Sequence, residues 1–467
     1  MASLGRRGVM PHGGCLPALL ALAALASPHL LGAAAVEASG GDWHVVPVGS
    51  LVPKPTCTVT EAAPNLPTLS VVHRHGPCSP LRSPGDPPSH AEILGRDQER
   101  VHAIHAKIGL AAASSSKSAN VTLQTHWGEP LGTSNYFITA GLGTPARSLV
   151  VEFDTGSEES WVQCEPCRGC YKQHDPLFDP DKSSTYFAVP CDAHECGEFV
   201  GLQQNCSSSD NTCRYGVAYG DQSKTVGNLA QDTLTLTPNT TVPGFLFGCG
   251  HDDAGVFGEV DGLFGFGRGK ASLPSQAQAS ANYSHSGFSY CLPSSPSTVG
   301  YLTLGVASTA PTNAKFTAML PGQGGSFYYL NITGINVAGR AIKVTPAAFQ
   351  TASGTIIDSG TAFSRLPPRV YATLRSAFRR AMGRRYKRVA APEPFDTCYD
   401  LSGHEAVRVP SVELVFADGA TVRLDPTGVL YAWEDAAQTC LGTSAQLAAY
   451  VADTPALELP CAVVRVR

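Results

Sequence analysis

The stretches Phe153-Asp154-Thr155-Gly156-Ser157 and Ile356-Ile357-Asp358-Ser359-Gly360-Thr361 decide how this chain folds. Each sets an acidic residue behind apolar, strand-forming residues and follows it with a hydroxyl, a glycine and a second hydroxyl. One such stretch is an ordinary turn; two, far apart in one chain, are a duplicated device. Two carboxylates within hydrogen-bond reach cannot both ionise easily, so one titrates low, the other is raised, and together they hold one proton and a water. One then serves as base and the other as acid. Gly156 and Gly360 let the backbones approach where a Cβ would clash, while Ser157 and Thr361 can donate to the carboxylates beside them. A pair of this kind suits attack of an activated water on a peptide carbonyl, with no metal, no other cofactor and no covalent intermediate.

At these residues the chain resembles the pepsin-like aspartic proteases, and from about Leu69 to Cys440 it is similar to the plant nepenthesin-like branch with a long propeptide. The resemblance implies a mostly β, bilobal fold with one catalytic aspartate, Asp154 or Asp358, from each lobe. It also implies that Thr155 and Ser359 link the two catalytic loops. Protein or peptide substrates follow, cleaved by a monomer.

Composition agrees with a globular, turn-rich, mostly β chain: 467 residues, 43% hydrophobic, with 47 Gly and 35 Pro. A formal charge of −5 argues against a chain built as a whole for nucleic acid or an anionic membrane. Arg6 and Arg7 precede an apolar stretch, Cys15 to Leu31, that ends in small residues near Ala35, the layout of a secretory signal peptide over 1–35. No later segment has the unbroken apolar length of a membrane span, so no membrane partner remains after cleavage. Of 15 cysteines, one lies in that leader, Cys57 and Cys78 precede the catalytic region, and an even dozen follow, which suits an oxidising compartment. Sequons at Asn120, Asn205, Asn239, Asn282 and Asn331 are compatible with glycosylation there. The expected location is therefore extracellular or vacuolar, with a chloroplast as the alternative.

Residues 36–124 are rich in Pro, Ala and Ser, with one helical pattern near Ile93 to Ile108. The run Thr68 to Pro80 is similar to the prosegment signature of the nepenthesin-like branch, so this region reads as a removable propeptide. Basic residues such as Arg74 are expected to lie across the acidic cleft, with cleavage near Ala111 to Leu123. His73, His75, Cys78 and His90 match no common zinc spacing, and no metal is assigned to them.

The first lobe is placed at 125–305. Cys164-x-x-Cys167-x-x-Cys170 opens a group of seven cysteines ending at Cys213, which in a secretory chain reads as a disulfide-stapled loop; an odd count needs a partner elsewhere, and Cys249 is the nearest. The resemblance makes this loop the cysteine-rich insertion of the plant branch. Tyr215 to Ser223 followed by the alternation Val226 to Leu236 reads as a hairpin over a cleft, and by the resemblance Tyr219 is the flap tyrosine that closes over substrate. Gln222 stands where the family has glycine. Val260 to Gly267 supplies the two-apolar-then-glycine strand that braces the first aspartate loop.

The second lobe is placed at 306–467. After Pro367-Pro368 comes the clearest helix, with Val370, Leu374, Ala377, Phe378 and Ala381 on one face and a basic run from Arg375 to Arg388 on and beyond the other. Three acids depart from the family pattern at the first loop: Glu152, on the strand parity of Asp154, and Glu158 and Glu159 after it. No glycine follows Gly442, so the second lobe is expected to lack its apolar-apolar-glycine brace and the usual closing strands, as a truncated or divergent end. Two rival readings remain: a non-catalytic binding or inhibitor protein on this scaffold, which the incomplete lobe favours, and a DNA-binding chloroplast protease, for which the basic helix is the only local support.

Overall fold

Apolar alternation carries the strand Arg147–Asp154 through the first lobe. Leu149, Val151 and Phe153 face its main core, while Val150 packs in a second cluster on the opposite side with Phe137, Trp161 and Leu263. This is a computed structural model that describes residues 42–464 except 53, 60–67, 82–88, 116–135, 199–204, 207–209, 220–222, 256, 281–286, 294, 296, 306–314, 321–326, 350–353, 362, 393–394, 434–436, 446–455 and 458–460. The signal-peptide reading, Gln222 and most of the expected activation region lie outside the described residues.

The strand Gly262–Gly265 runs parallel to Arg147–Asp154, with Gly265 opposite Asp154, and antiparallel to Trp161–Gln163. A Cβ on Gly265 would lie 2.5 Å from the Glu158 carbonyl, and one on Gly262 2.0 Å from that of Trp161. Only glycine lets this brace press against the loop that follows Asp154. Cys213–Ala218 and Lys224–Thr237 form the expected hairpin, with the Tyr219 amide donating to the Ser223 carbonyl at 2.8 Å.

A separate core fills the second lobe, where the helix Pro368–Met382 buries Val370, Tyr371, Leu374, Phe378 and Met382. Tyr371 and Met382 take the depth expected of Ala377 and Ala381, which are only partly buried. Arg375 and Arg379 on this helix pair with Asp396, and Arg385 lies 4.5 Å over the ring of Trp43. Three of the seven basic residues of the run are thus engaged within the protein.

The expectation that no closing strand follows Gly442 is corrected. Thr355–Ile357, which leads into Asp358, pairs on one side with Tyr328–Leu330 and on the other, in parallel, with Ala456–Leu457. The latter takes the place that Gly262–Gly265 holds in the first lobe. Thr443–Ala445 pairs in parallel with Ser364–Leu366, and Cys461–Val464 extends the large sheet beside Phe288–Cys291. The brace exists without glycine, but it has two residues against four.

The segment before residue 136 is woven into both lobes. Trp43–Pro47 adds to the edge of Ala406–Pro410 in the second lobe, and Thr68–His73 inserts between Val299–Leu304 and Tyr136–Leu142 in the first. The helix His90–Ser115 follows. Ser89 and Glu92 open it reciprocally: the Ser89 amide donates to the Glu92 carboxylate at 2.6 Å and the Glu92 amide to the Ser89 hydroxyl at 3.3 Å, a capping box.

Disulfides join Cys57–Cys78, Cys164–Cys249, Cys167–Cys170, Cys191–Cys206, Cys196–Cys213 and Cys398–Cys440. The odd cysteine of the insertion is Cys164, and its partner is Cys249. Cys167, Cys170 and Asp253 come within ligand distance of one another, but the two sulfurs are bonded to each other. Among the described residues no helix is long and apolar enough to cross a membrane.

Candidate active site

Asp154 ends one strand and Asp358 directly follows another, in different lobes; they are 1% and 0% exposed and converge on one group. Their neighbours repeat. The Gly156 amide donates to Asp154 Oδ1 at 2.8 Å and the Ser157 hydroxyl to Oδ2 at 2.5 Å; Gly360 donates to Asp358 Oδ1 at 3.3 Å and Thr361 to Oδ2 at 2.6 Å. Each carboxylate is therefore held in plane from the loop behind it. Across the lobes, the Ser359 amide donates to Thr155 Oγ1 at 2.9 Å and the Thr155 amide to Ser359 Oγ at 3.1 Å. A Cβ on Gly156 would lie 2.9 Å from Arg100 Nη2 and 3.1 Å from Asp358 Oδ1, so glycine leaves room there for the facing carboxylate and the group between the two.

The group on which the carboxylates converge is Arg100, from the N-terminal helix. Its Nη2 donates to Asp154 Oδ1 at 2.6 Å and to Asp358 Oδ1 at 2.8 Å, and its Nε to Asp358 Oδ2 at 2.8 Å. Burial would raise the Asp154 carboxyl, but the Arg100 charge, with hydrogen bonds from Ser157, Arg100 and Gly156, holds it below the usual carboxylate range. Burial likewise works to lower Arg100, and the two aspartates outweigh it and raise it further.

The same face of that helix buries Leu94, Asp97, Val101 and Ile104. Leu94 packs with Phe363 and Phe395 of the second lobe, and Ile104 with Phe327, Tyr329 and Ile356. Asp97 accepts from Arg365, which is 1% exposed, and from the Phe363 amide at 3.3 Å. Of the basic residues expected across the cleft, Arg74 is not the one that meets the paired aspartates: it reaches Glu152 at 3.6 Å, donates to the Phe257 carbonyl and lies 5.2 Å over Phe137. Its contact answers the cost of Glu152, since a buried carboxylate on the parity of Asp154 needs a cation. Sequence reading missed Arg100. Ser89 and Glu92 announce the start of a helix, but nothing local says that the charge at Arg100 meets the paired aspartates.

Tyr219 follows the first hairpin strand, and its hydroxyl accepts from Trp161 Nε1 at 2.7 Å. Phe257 packs edge-on against both rings. Burial, then the nearby Glu159 charge, raises the Tyr219 phenol well above its ordinary value, so it stays a neutral donor.

Family models described as xylanase inhibitor N-terminal and C-terminal match residues 136–306 and 327–453. An aspartyl protease family protein of Arabidopsis thaliana is 42% identical, over 86% of this chain and 85% of its own length. The aspartic proteinase nepenthesin-2 of Nepenthes gracilis is 34% identical over 71% and 76%. Among solved structures, conglutin gamma, a basic 7S globulin from lupine seeds, superposes with a TM-score of 0.55 at 23% identity, over 71% of this chain and 87% of that one. At that identity the likeness speaks to the fold.

Proposed function

Because the chain belongs to the plant pepsin-like aspartic protease family, we propose that it is an aspartic endopeptidase made as a secreted zymogen, with Asp154 and Asp358 as its catalytic pair. The observation that carries this reading is the single nitrogen, Arg100 Nη2, within hydrogen-bond distance of both carboxylates. A substrate carbonyl and a water fit where that cation lies. In the released cleft the two carboxyls share one proton. The ionised one takes a proton from water as its oxygen attacks the carbonyl carbon, and the protonated one donates to the carbonyl oxygen. The tetrahedral diol then collapses: the carboxyl that took the proton of water gives it to the departing amine, the other carboxylate takes a proton back from a diol hydroxyl as the C–N bond breaks, and both carboxyls end as they began. Ser157 and Thr361 hold the outer oxygens, so the inner pair needs little reorganisation.

The zymogen reading rests on the N-terminal helix. Leu94, Val101 and Ile104 contribute about 1.5–3 kcal/mol each by burial, while Arg100 fills the reacting position. Acid favours release, because protonating the pair removes the partners of Arg100. The observed disulfides support passage through an oxidising compartment, and the reading divides the chain into leader 1–35, propeptide 36–124 and lobes 125–305 and 306–467. In a test, full-length protein brought to pH 4 should cleave a denatured protein, and a statine-type peptide should block it. Cleavage insensitive to statine and lost with a chelator would contradict the proposal.

The second reading, a binding or inhibitor protein on this scaffold, is favoured by the two-residue brace beside Asp358 and by matching family models that are described as xylanase inhibitors. It predicts tight binding of a glycoside hydrolase and no peptide cleavage at any pH.

A further inference from the structure

Arg365 is a large cation buried seven residues after Asp358, and all three of its guanidinium nitrogens donate to one element. Nε donates to Asp97 Oδ2 at 3.2 Å, Nη2 to the same oxygen, and Nη1 to Gln98 Oε1 at 3.1 Å. Both acceptors sit on the N-terminal helix, whereas Arg365 belongs to the strand Ser364–Leu366 of the second lobe. On the zymogen reading, on which this inference rests, Asp97 leaves with the helix and Arg365 remains.

Asp97 precedes Arg100 by three residues, so its side chain lies one helical turn, about 5 Å, from the group that covers the catalytic pair. An extended substrate advances about 3.3 Å per residue. The position of Asp97 is therefore that of a substrate side chain one or two residues from the bond being cut. Beyond it, Leu94 enters an apolar pocket of Phe363 and Phe395, with Tyr431 beside it. The helix thus places an acidic side chain and then a bulky apolar one on the second-lobe wall of the cleft, in sequence with the reacting centre.

We infer that Arg365 is a specificity-determining residue that selects peptide substrates with Asp or Glu one or two residues from the scissile bond, in the place Asp97 holds now. The planar fork suits a carboxylate, and a substrate segment lying where the helix lies now would screen the pair from water, where a charge-assisted bond is strong. A neutral isostere cannot accept in the same way and leaves a buried cation poorly matched.

The test uses acid-treated full-length protein at pH 4.5, with release of the helix verified there by hydrogen exchange and a peptide aspartate still largely ionised, and statine peptides with Asp or Asn at each of two positions on either side of the statine. Binding is read by calorimetry, so turnover is not required. At one position the Asp peptide is expected to bind about 10- to 100-fold tighter than the Asn peptide. Arg365→Gln should bring that ratio close to one, and Arg365→Lys, which keeps charge but not the fork, should retain part of it. Equal binding of every Asp and Asn pair by the wild-type protein overturns the assignment and leaves the peptidase reading intact. A preference that persists in Arg365→Gln also overturns it. No statine binding together with no cleavage overturns the peptidase reading, and this inference with it.

Discussion

Ser359 and Thr155, from opposite lobes, each donate a backbone amide to the other's side-chain oxygen, at 2.9 and 3.1 Å. Ser359 Oγ also donates to the Phe153 carbonyl at 3.2 Å, one residue before Asp154. The two carboxylates are thereby positioned by each other's loops. Ser359→Ala leaves the buried Thr155 amide without this acceptor and should cost about 1–3 kcal/mol of stability. A displacement of about 1 Å at the pair costs around a hundredfold in rate, so kcat should fall by one to two orders of magnitude with KM little changed. Denaturant midpoints and steady-state kinetics check the two halves separately.

Arg100 makes docking of the helix pH-dependent. With the helix in place Asp154 lies below the usual carboxylate range, so the docked form binds fewer protons than the released one. The stabilisation is present above the ordinary carboxyl range and is lost as pH falls through it toward the lowered value. Hydrogen-exchange protection of 90–115 should therefore fall between about pH 5 and pH 3. In Arg100→Gln, protection should be weaker at neutral pH and its acid dependence shallower.

Arg74 and Glu152 are both buried, and breaking one partner of such a pair typically costs about 3–5 kcal/mol. Arg74→Ala should lower the unfolding midpoint of the full chain far more than Lys182→Ala, whose pair with Asp179 is at the surface.

Asp253 and Asp261 give the first lobe an opposite response. Burial pushes each carboxyl up to about 7, although Thr225 donates to Asp253 and the Val150 amide to Asp261. A folded value above the unfolded one makes the contribution full below the ordinary carboxyl range and lost as pH rises through about 7. Unfolding of the first lobe should need more denaturant at pH 5 than at pH 8. Asp253→Asn and Asp261→Asn should each flatten that slope.

Local chemistry explains what was legible in the sequence. The paired turns at Asp154 and Asp358, the glycine brace at Gly265 and the helix after Pro367 depend on residues adjacent in the chain, and each has a distinctive order of residue types. Cys249 was reachable by parity. Arg100 and Arg365 were not, because their contacts join residues 258 and 268 positions apart and an amphipathic helix reads the same whichever cleft receives it. Ala456–Leu457 was hidden for another reason. Two residues show no alternation, and no glycine precedes or follows them within the strand to announce it.

The central claim is that Asp154 and Asp358 act as one acid–base pair once the helix is released. The direct measurement is the rate of cleavage of a denatured protein by acid-treated full-length wild type, Asp154→Asn and Asp358→Asn, prepared side by side. The account predicts cleavage by the wild type and a loss of at least about 10³-fold in each variant, with helix release by hydrogen exchange unimpaired. Wild-type activity retained in either variant, or no cleavage by wild type whose helix has demonstrably left, would contradict it.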